Sequence, residues 1–333
     1  MVRVITVCKT CQPFWIAYGV YDVPIPAEQP LPVAATAPEP RPMLGIVLRL
    51  GAVLVIGVMF LLVKMAGNRG VHVAESLFWR QLAGLPVAIL WLWWSNDLPS
   101  IKTARPGGHA VRMVLGIAAM GLNFTSMVLL PMADATTFGF ATQIFATTLA
   151  AILLAEPTGK YRWAAVILGF VGILIALRPG HDGVNTAGVV VALLGALLTS
   201  CTVIQLRRLN RTETPGAIVF WFSLTSIVPL GIAQLFLARA HDTETWLIIA
   251  ALSLAGAIGQ ILLTASLRYA SVATIMTIDY SALLWSTALG YLAFNDLPSG
   301  SILQGAPLII AAGLIIAWRE QTLARQRSVT RLE

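Results

Sequence analysis

Ten stretches of the chain stay apolar for about the ~20 residues a helix needs to cross a hydrocarbon core. They fall at roughly 43–65, 74–94, 110–130, 134–155, 161–178, 186–206, 216–237, 246–266, 271–294 and 302–318. Polar residues gather in the short gaps between them. Two gaps are only "LPMADATT" and "LRYAS", so the edges of the third, fourth, eighth and ninth runs are drawn less sharply than the count. Hydrocarbon offers no partner for backbone N–H and C=O groups, so a spanning segment must satisfy its own. Continuous apolar runs of this length do so as helices, whereas a barrel would show short alternating segments. The pattern predicts an all-α integral membrane protein of ten transmembrane helices.

Composition strengthens this reading. Of 333 residues 57% are apolar and 11% charged, where a soluble domain carries about a quarter charged. The formal charge of +7 forms no basic stripe and no aromatic-basic platform, so nucleic acid is not an expected partner. Lys and Arg mark topology instead. With the N-terminus inside, thirteen fall in interior loops and the C-terminal tail, against Lys64, Arg69, Arg178 and Arg239 outside. Basic residues stay on the cytoplasmic side, so both termini are expected there. Trp91, Trp93, Trp94, Trp163, Trp246 and Trp318 fall at expected interfaces, where an amphipathic ring is favoured.

Residues 1–42 are Pro/Ala-rich, lack the ordered parts of a secretory signal, and read as a cytoplasmic extension; 321–333 read as a basic cytoplasmic tail. Cys8 and Cys11 have CxxC spacing, but no second pair or nearby His completes a zinc site, and Cys201 lies inside an apolar run. The four His, at 72, 109, 181 and 241, have no metal-binding spacing. No metal or cofactor is expected.

The chain repeats itself. The stretch from Ala133 through "FATTLAAILLAEPTGKYR" to Gly172 has a counterpart from Ala270 through "SALLWSTALGYLAFNDLPSG" to Gly313. In both, a small-residue helix ends in an acidic residue and Pro, Glu156-Pro157 and Asp296-Leu297-Pro298, and a Gly-containing helix follows. Five spans per half force the second copy, 181–320, to enter with the orientation opposite to the first, 43–180. Such inverted repeats recur in secondary transporters, with the substrate site near the midplane between halves.

Three stretches, "ESLFWRQLAGLP", "LLAEPTGKYRWAAVILGFVGILI" and "ASVATIMTIDYSALLWSTALGYLAFNDLP", resemble the EamA family of the drug/metabolite transporter superfamily. The third carries an acidic residue and an aromatic ahead of a small-residue helix, although Asn295-Asp296 stands where that pattern has Gly-Glu. The resemblance spans about 43–320. It implies two inverted five-helix repeats and transport of metabolites such as amino acids, vitamins, nucleotide-like compounds and drugs in a bacterial cytoplasmic membrane.

Polar residues inside the apolar runs are the candidates for a substrate site. Asp279 lies about eight residues into the ninth run, where an ionised carboxylate is costly unless paired or hydrated. It could bind a cationic group, exchange a proton during transport, or pair with an Arg. Arg80 lies about two turns into the second run, among Phe78, Trp79 and Leu82. It is a candidate partner for Asp279 or a fork for a substrate carboxylate or phosphate; snorkelling to the interface is the alternative. Asn123, Gln143 and Gln260 either line a polar cavity or bond between helices. Tyr280 and Trp285 either stack on a planar substrate or pack. Gly169, Gly172, Gly256 and Gly259 are assigned to close helix approach, and Glu156 and Asp296 to the interface.

These features describe a carrier of a small-molecule substrate within a lipid bilayer, monomeric or homodimeric, working by alternating access with or without proton coupling. An uncoupled facilitator is one alternative. A membrane-embedded enzyme on a lipid or isoprenoid is another, but it should cluster Asp, His or Glu on one membrane face, and the buried ionisable residues here are single ones on different runs.

Overall fold

The computed structural model describes residues 42–94, 98–103, 105–153, 160–177, 185–210, 212–269 and 278–330. The expectations for the 1–41 stretch with Cys8 and Cys11, for Glu156-Pro157, Arg178 and His181, and for the opening of the ninth run lie outside these residues. Among those described there are eleven α-helices, one 3-10 turn at Leu98–Ile101 and no strand. The helices are α1 Pro42–Asn68, α2 Val73–Trp94, α3 Pro106–Leu129, α4 Met132–Gly139, α5 Ala141–Leu153, α6 Lys160–Leu177, α7 Thr186–Leu209, α8 Pro215–Leu237, α9 Thr243–Tyr269, α10 Ala282–Phe294 and α11 Gly300–Thr330.

Local chemistry places the helix starts. The Asn185 side chain accepts from the Gly188 N–H ahead of α7, and Thr214 accepts from Ala217 N–H ahead of α8, with Pro215 in the first turn. Each relieves an orphan donor of the first turn. Seven segments are long and apolar enough to cross a membrane, and Trp163–Leu177 and Ala282–Phe294 are shorter apolar helices. Helix α2 has the length to span, at 22 residues, but carries Glu75 and Arg80. The chain is a multi-pass, all-helical membrane protein.

Two expected spans are not continuous. The fourth is divided at Phe140, whose N–H bonds to the carbonyls of both Thr136 and Thr137 at 3.2 Å. Thr136 and Thr137 also return their hydroxyls to Met132 and Ala133 carbonyls at 2.8 Å, a back-bonding that bends helices. The ninth turns at Tyr280 and Ser281, where Ser281 N–H reaches Ile278 O at 2.9 Å and Leu283 N–H reaches Tyr280 O at 3.2 Å. The last helix departs in the other direction. Expected to stop near 318, it runs to Thr330 because Glu320, Gln321, Leu323, Ala324 and Arg325 favour helix.

The principal helix pairs are α1 with α9, α3 with α7, α2 with α8, and α6 with α11; α1 also meets α10, and α5 meets α7. Small residues set the closest approach. A Cβ on Gly172 of α6 would lie 2.9 Å from Ile309 and Leu308 and 3.0 Å from Gly305 O on α11, and one on Gly259 of α9 would lie 2.9 Å from Ile56 on α1. Without a hydrophobic drive between helices in lipid, such close packing supplies the attraction. Gly256 differs: its missing Cβ leaves space for Arg80, whose Cγ and Nε would each lie 3.1 Å away.

Candidate substrate cavity and its ion pairs

A cavity of about 310 Å³ lies between α2, α3, α8 and α9, with Leu206 and Asn210 at the end of α7 contributing to its wall. Its described lining holds Arg80 and Arg112 and no Asp or Glu. Arg80 projects from the second turn of α2 and donates through Nη1 to Gln81 Oε1 at 2.8 Å, with Met120 Sδ at 3.8 Å. Arg112, near the start of α3, lies over the Phe222 ring at 4.1 Å, and Gly116 one turn on lacks the Cβ that would strike the guanidinium. Neither arginine has a carboxylate partner among the described residues. Arg80 Nε, Arg112 Nε and Nη1, and Gln81 Nε2 are buried without a hydrogen-bond acceptor.

Asp279 is elsewhere. Arg49 on α1 holds it in a bidentate contact, Nε to Oδ1 at 2.6 Å and Nη2 to Oδ2 at 2.5 Å. This fork geometry is the strongest ion pair side chains make, and it removes Arg80 as the partner. Toward the other end of α1, Lys64 Nζ donates to Asp296 Oδ2 at 2.7 Å and to Leu130 O at 2.9 Å. Lys64, expected in an exterior loop, is thus buried, and Asp296 is an ion-pair residue. Further buried acid–His contacts join Glu75 to His241 at 3.0 Å and Glu213 to His109 at 3.9 Å.

The seven residues expected to form one site are therefore distributed. Arg80 and Gln260 line the cavity. Tyr280 is buried, packs on Phe140 at 4.9 Å between centroids and donates its hydroxyl to Gln143 Oε1, so the two helix breaks are tied to each other. Asn123 donates to Thr199 Oγ1 at 3.1 Å, joining α3 to α7. Trp285 lies beside Gly57 on α1, where a Cβ would be 3.8 Å from its own. Two residues central to this picture, Arg49 and Arg112, are absent from the expected set. Arg49 carried a readable signal, a lone Arg inside the first apolar run; Arg112, at the edge of the third, looks like a topology charge.

Helices long and apolar enough to cross a membrane, packed around a cavity whose apolar wall carries a few polar groups, are the architecture of a polytopic membrane transporter. The chain belongs to the EamA-like transporter family, which matches it twice, over residues 43–178 and 186–318. It is similar to a riboflavin transporter of Rhizobium johnstonii, 29% identical over 69% of this chain and 76% of that protein. An S-adenosylmethionine uptake transporter of Rickettsia bellii is 27% identical over 67% of this chain and 76% of its own. A solved crystal structure shares the fold with a TM-score of 0.58 at 19% identity, over 85% of this chain and 99% of that one. The chain is a transporter and not an enzyme.

Proposed function

We propose that this chain carries a small organic metabolite across the bacterial cytoplasmic membrane by alternating access, with the cavity holding Arg80, Arg112 and Gln260 as its substrate site. The cavity carries the proposal. It is about the size of the smaller metabolite pockets, ~300 Å³, and combines apolar walls with a few polar groups. Relatives named as a riboflavin transporter and an S-adenosylmethionine uptake transporter support a small organic metabolite. Ten spans in two inverted repeats, 43–180 and 181–320, are part of the same reading. The double family match supports it, as does the exchange pattern of the packing: first helix of one half on third of the other, α1 with α9 and α7 with α3, and like on like for α2 with α8 and α6 with α11.

With both termini cytoplasmic, as the basic residues favour, the cavity end with Trp91, Arg112, Asn210 and Pro215 lies toward the cytoplasm. In proteoliposomes preloaded with riboflavin or S-adenosylmethionine, external labelled substrate should enter by saturable counterflow. Linear, non-saturating entry would mean a pore, and no flux of either compound would remove them as substrates.

Proton coupling is the finer question. Arg49 already answers the charge of Asp279, a fixed pair that favours an uncoupled facilitator. Uptake should then be the same with and without an imposed pH gradient. If a gradient drives accumulation and Asp279→Asn loses that drive, coupling runs through the pair after all.

A further inference from the structure

The cavity concentrates positive charge without an answering anion. Arg80 and Arg112 line the same cavity, and the described lining offers amide, hydroxyl and sulfur groups but no carboxylate. Three other buried ionisable side chains of the described helices have charged or ionisable partners: Arg49 has Asp279, Lys64 has Asp296, and Glu75 has His241. An ionised group within a membrane domain is costly unless paired or hydrated. The exception therefore needs a reason. Gly256 and Gly116 point the same way, since a methyl at either position would press on the guanidinium beside it. Space is kept for both arginines inside a wall where neither makes an ion pair.

We propose that Arg80 and Arg112 are the recognition site for an anionic group, carboxylate or phosphate, of the organic substrate. The inference deepens the carrier reading and rests on it. Guanidinium groups suit this task because their planar donors match the oxygens of a carboxylate or phosphate. Gln81 holds Arg80 through its carbonyl oxygen, so its own amide N–H₂ remains available as a donor beside it. Phe222 fixes Arg112 from the other side by cation–π stacking. The rest of the anion meets Trp91, Val219 and Ile261, an apolar wall that suits an organic body better than an inorganic ion. A bound anion supplies acceptors to the unpartnered N–H groups of Arg80, Arg112 and Gln81 and an opposite charge to both guanidinium groups.

Matched probes test this. The purified protein is melted in neutral detergent with AMP against adenosine, indole-3-acetate against indole, and inorganic phosphate alone. The charged member of at least one pair should stabilise the wild type at concentrations at least tenfold below its neutral counterpart, and added NaCl should weaken it. Arg80→Gln or Arg112→Gln should remove the preference. Arg112→Lys, which keeps the charge and loses the fork, should retain part of it and controls for misfolding. Equal effects of charged and neutral members, no effect of any probe, or a preference that survives in the Gln variants would overturn the proposal.

Repeating the melts in phosphatidylcholine and phosphatidylglycerol nanodiscs separates a soluble anion from a lipid headgroup. Loss of the AMP effect only in phosphatidylglycerol, with an Arg80-dependent shift from the lipid itself, would make the headgroup the source of the phosphate. Counterflow reports separately on the carrier reading. Anion binding without counterflow ends that reading and leaves the site, while counterflow of a neutral metabolite unaffected by Arg112→Gln ends the anion site and leaves the carrier.

Discussion

Asp279→Ala is expected to be the most damaging single side-chain truncation in the membrane region, and more damaging than Arg49→Ala although both break the same contact. Removing one member of a buried pair leaves the other charged and unsatisfied, at a cost of about 3 kcal/mol or more. The survivor's access to water decides which removal costs more. Arg49 is 11% exposed in its side chain and Asp279 30%, so an orphaned Arg49 has less water to turn to. The pair also ties α1 to the segment just ahead of the ninth-span turn, so transport should fall with stability. Arg49→Met combined with Asp279→Leu should be more stable than Asp279→Ala alone, since no charge is stranded, yet still carry poorly. Detergent melts of Arg49→Met, Asp279→Leu and their double variant form a thermodynamic cycle. Single effects that simply add would show that the contact contributes nothing of its own.

The same contact shows what could be read from the chain alone. Depth within an apolar run singles out Asp279 and Arg80, and the identical argument applied to Met43–Leu50 would have raised Arg49. Pairing is a different matter. Arg49 and Asp279 are 230 residues apart, and periodicity or composition within one run says nothing about which distant run it meets. The helices themselves were legible because each apolar run is itself the cause of its helix. The two interruptions were harder to see: Tyr280-Ser281 carries neither Pro nor Gly, and Gly139, which ends α4, is a lone glycine of a kind that helical patterns tolerate; the fourth also bends where threonine hydroxyls compete for backbone carbonyls, a geometry that appears only once side chains are placed. Arg112 was hidden by a rule that is right on average. A basic residue at a span edge marks the cytoplasmic face, and only the fold turns this one over Phe222 and into a cavity.

Gly305 provides the second large effect, and it separates two meanings of a small residue in a membrane helix. A Cβ there would stand 2.5 Å from the Gly172 carbonyl oxygen, 2.7 Å from Ala176 Cβ and 2.8 Å from Ala176 N. Two of these three neighbours are backbone, so nothing can swing aside; α6 and α11 must separate. Gly305→Val is expected to cost about 3 kcal/mol, the upper end for overpacking, and to leave little folded protein, with Gly305→Ala less severe but still clearly destabilised. Gly169 is the instructive comparison. Its Cβ would strike the tip of Ile144 and meet Ala312 at 3.1 Å, and the end of an isoleucine can change rotamer, so Gly169→Ala should lose much less. Gly107, early in α3 with nothing within 4 Å, should accept Ala without loss, because Ala is the better helix former by about 1 kcal/mol. Melting temperatures of the three Ala variants should therefore rise in the order Gly305, Gly169, Gly107. A Gly305→Ala protein as stable as wild type would mean that α6 and α11 are not packed backbone to backbone.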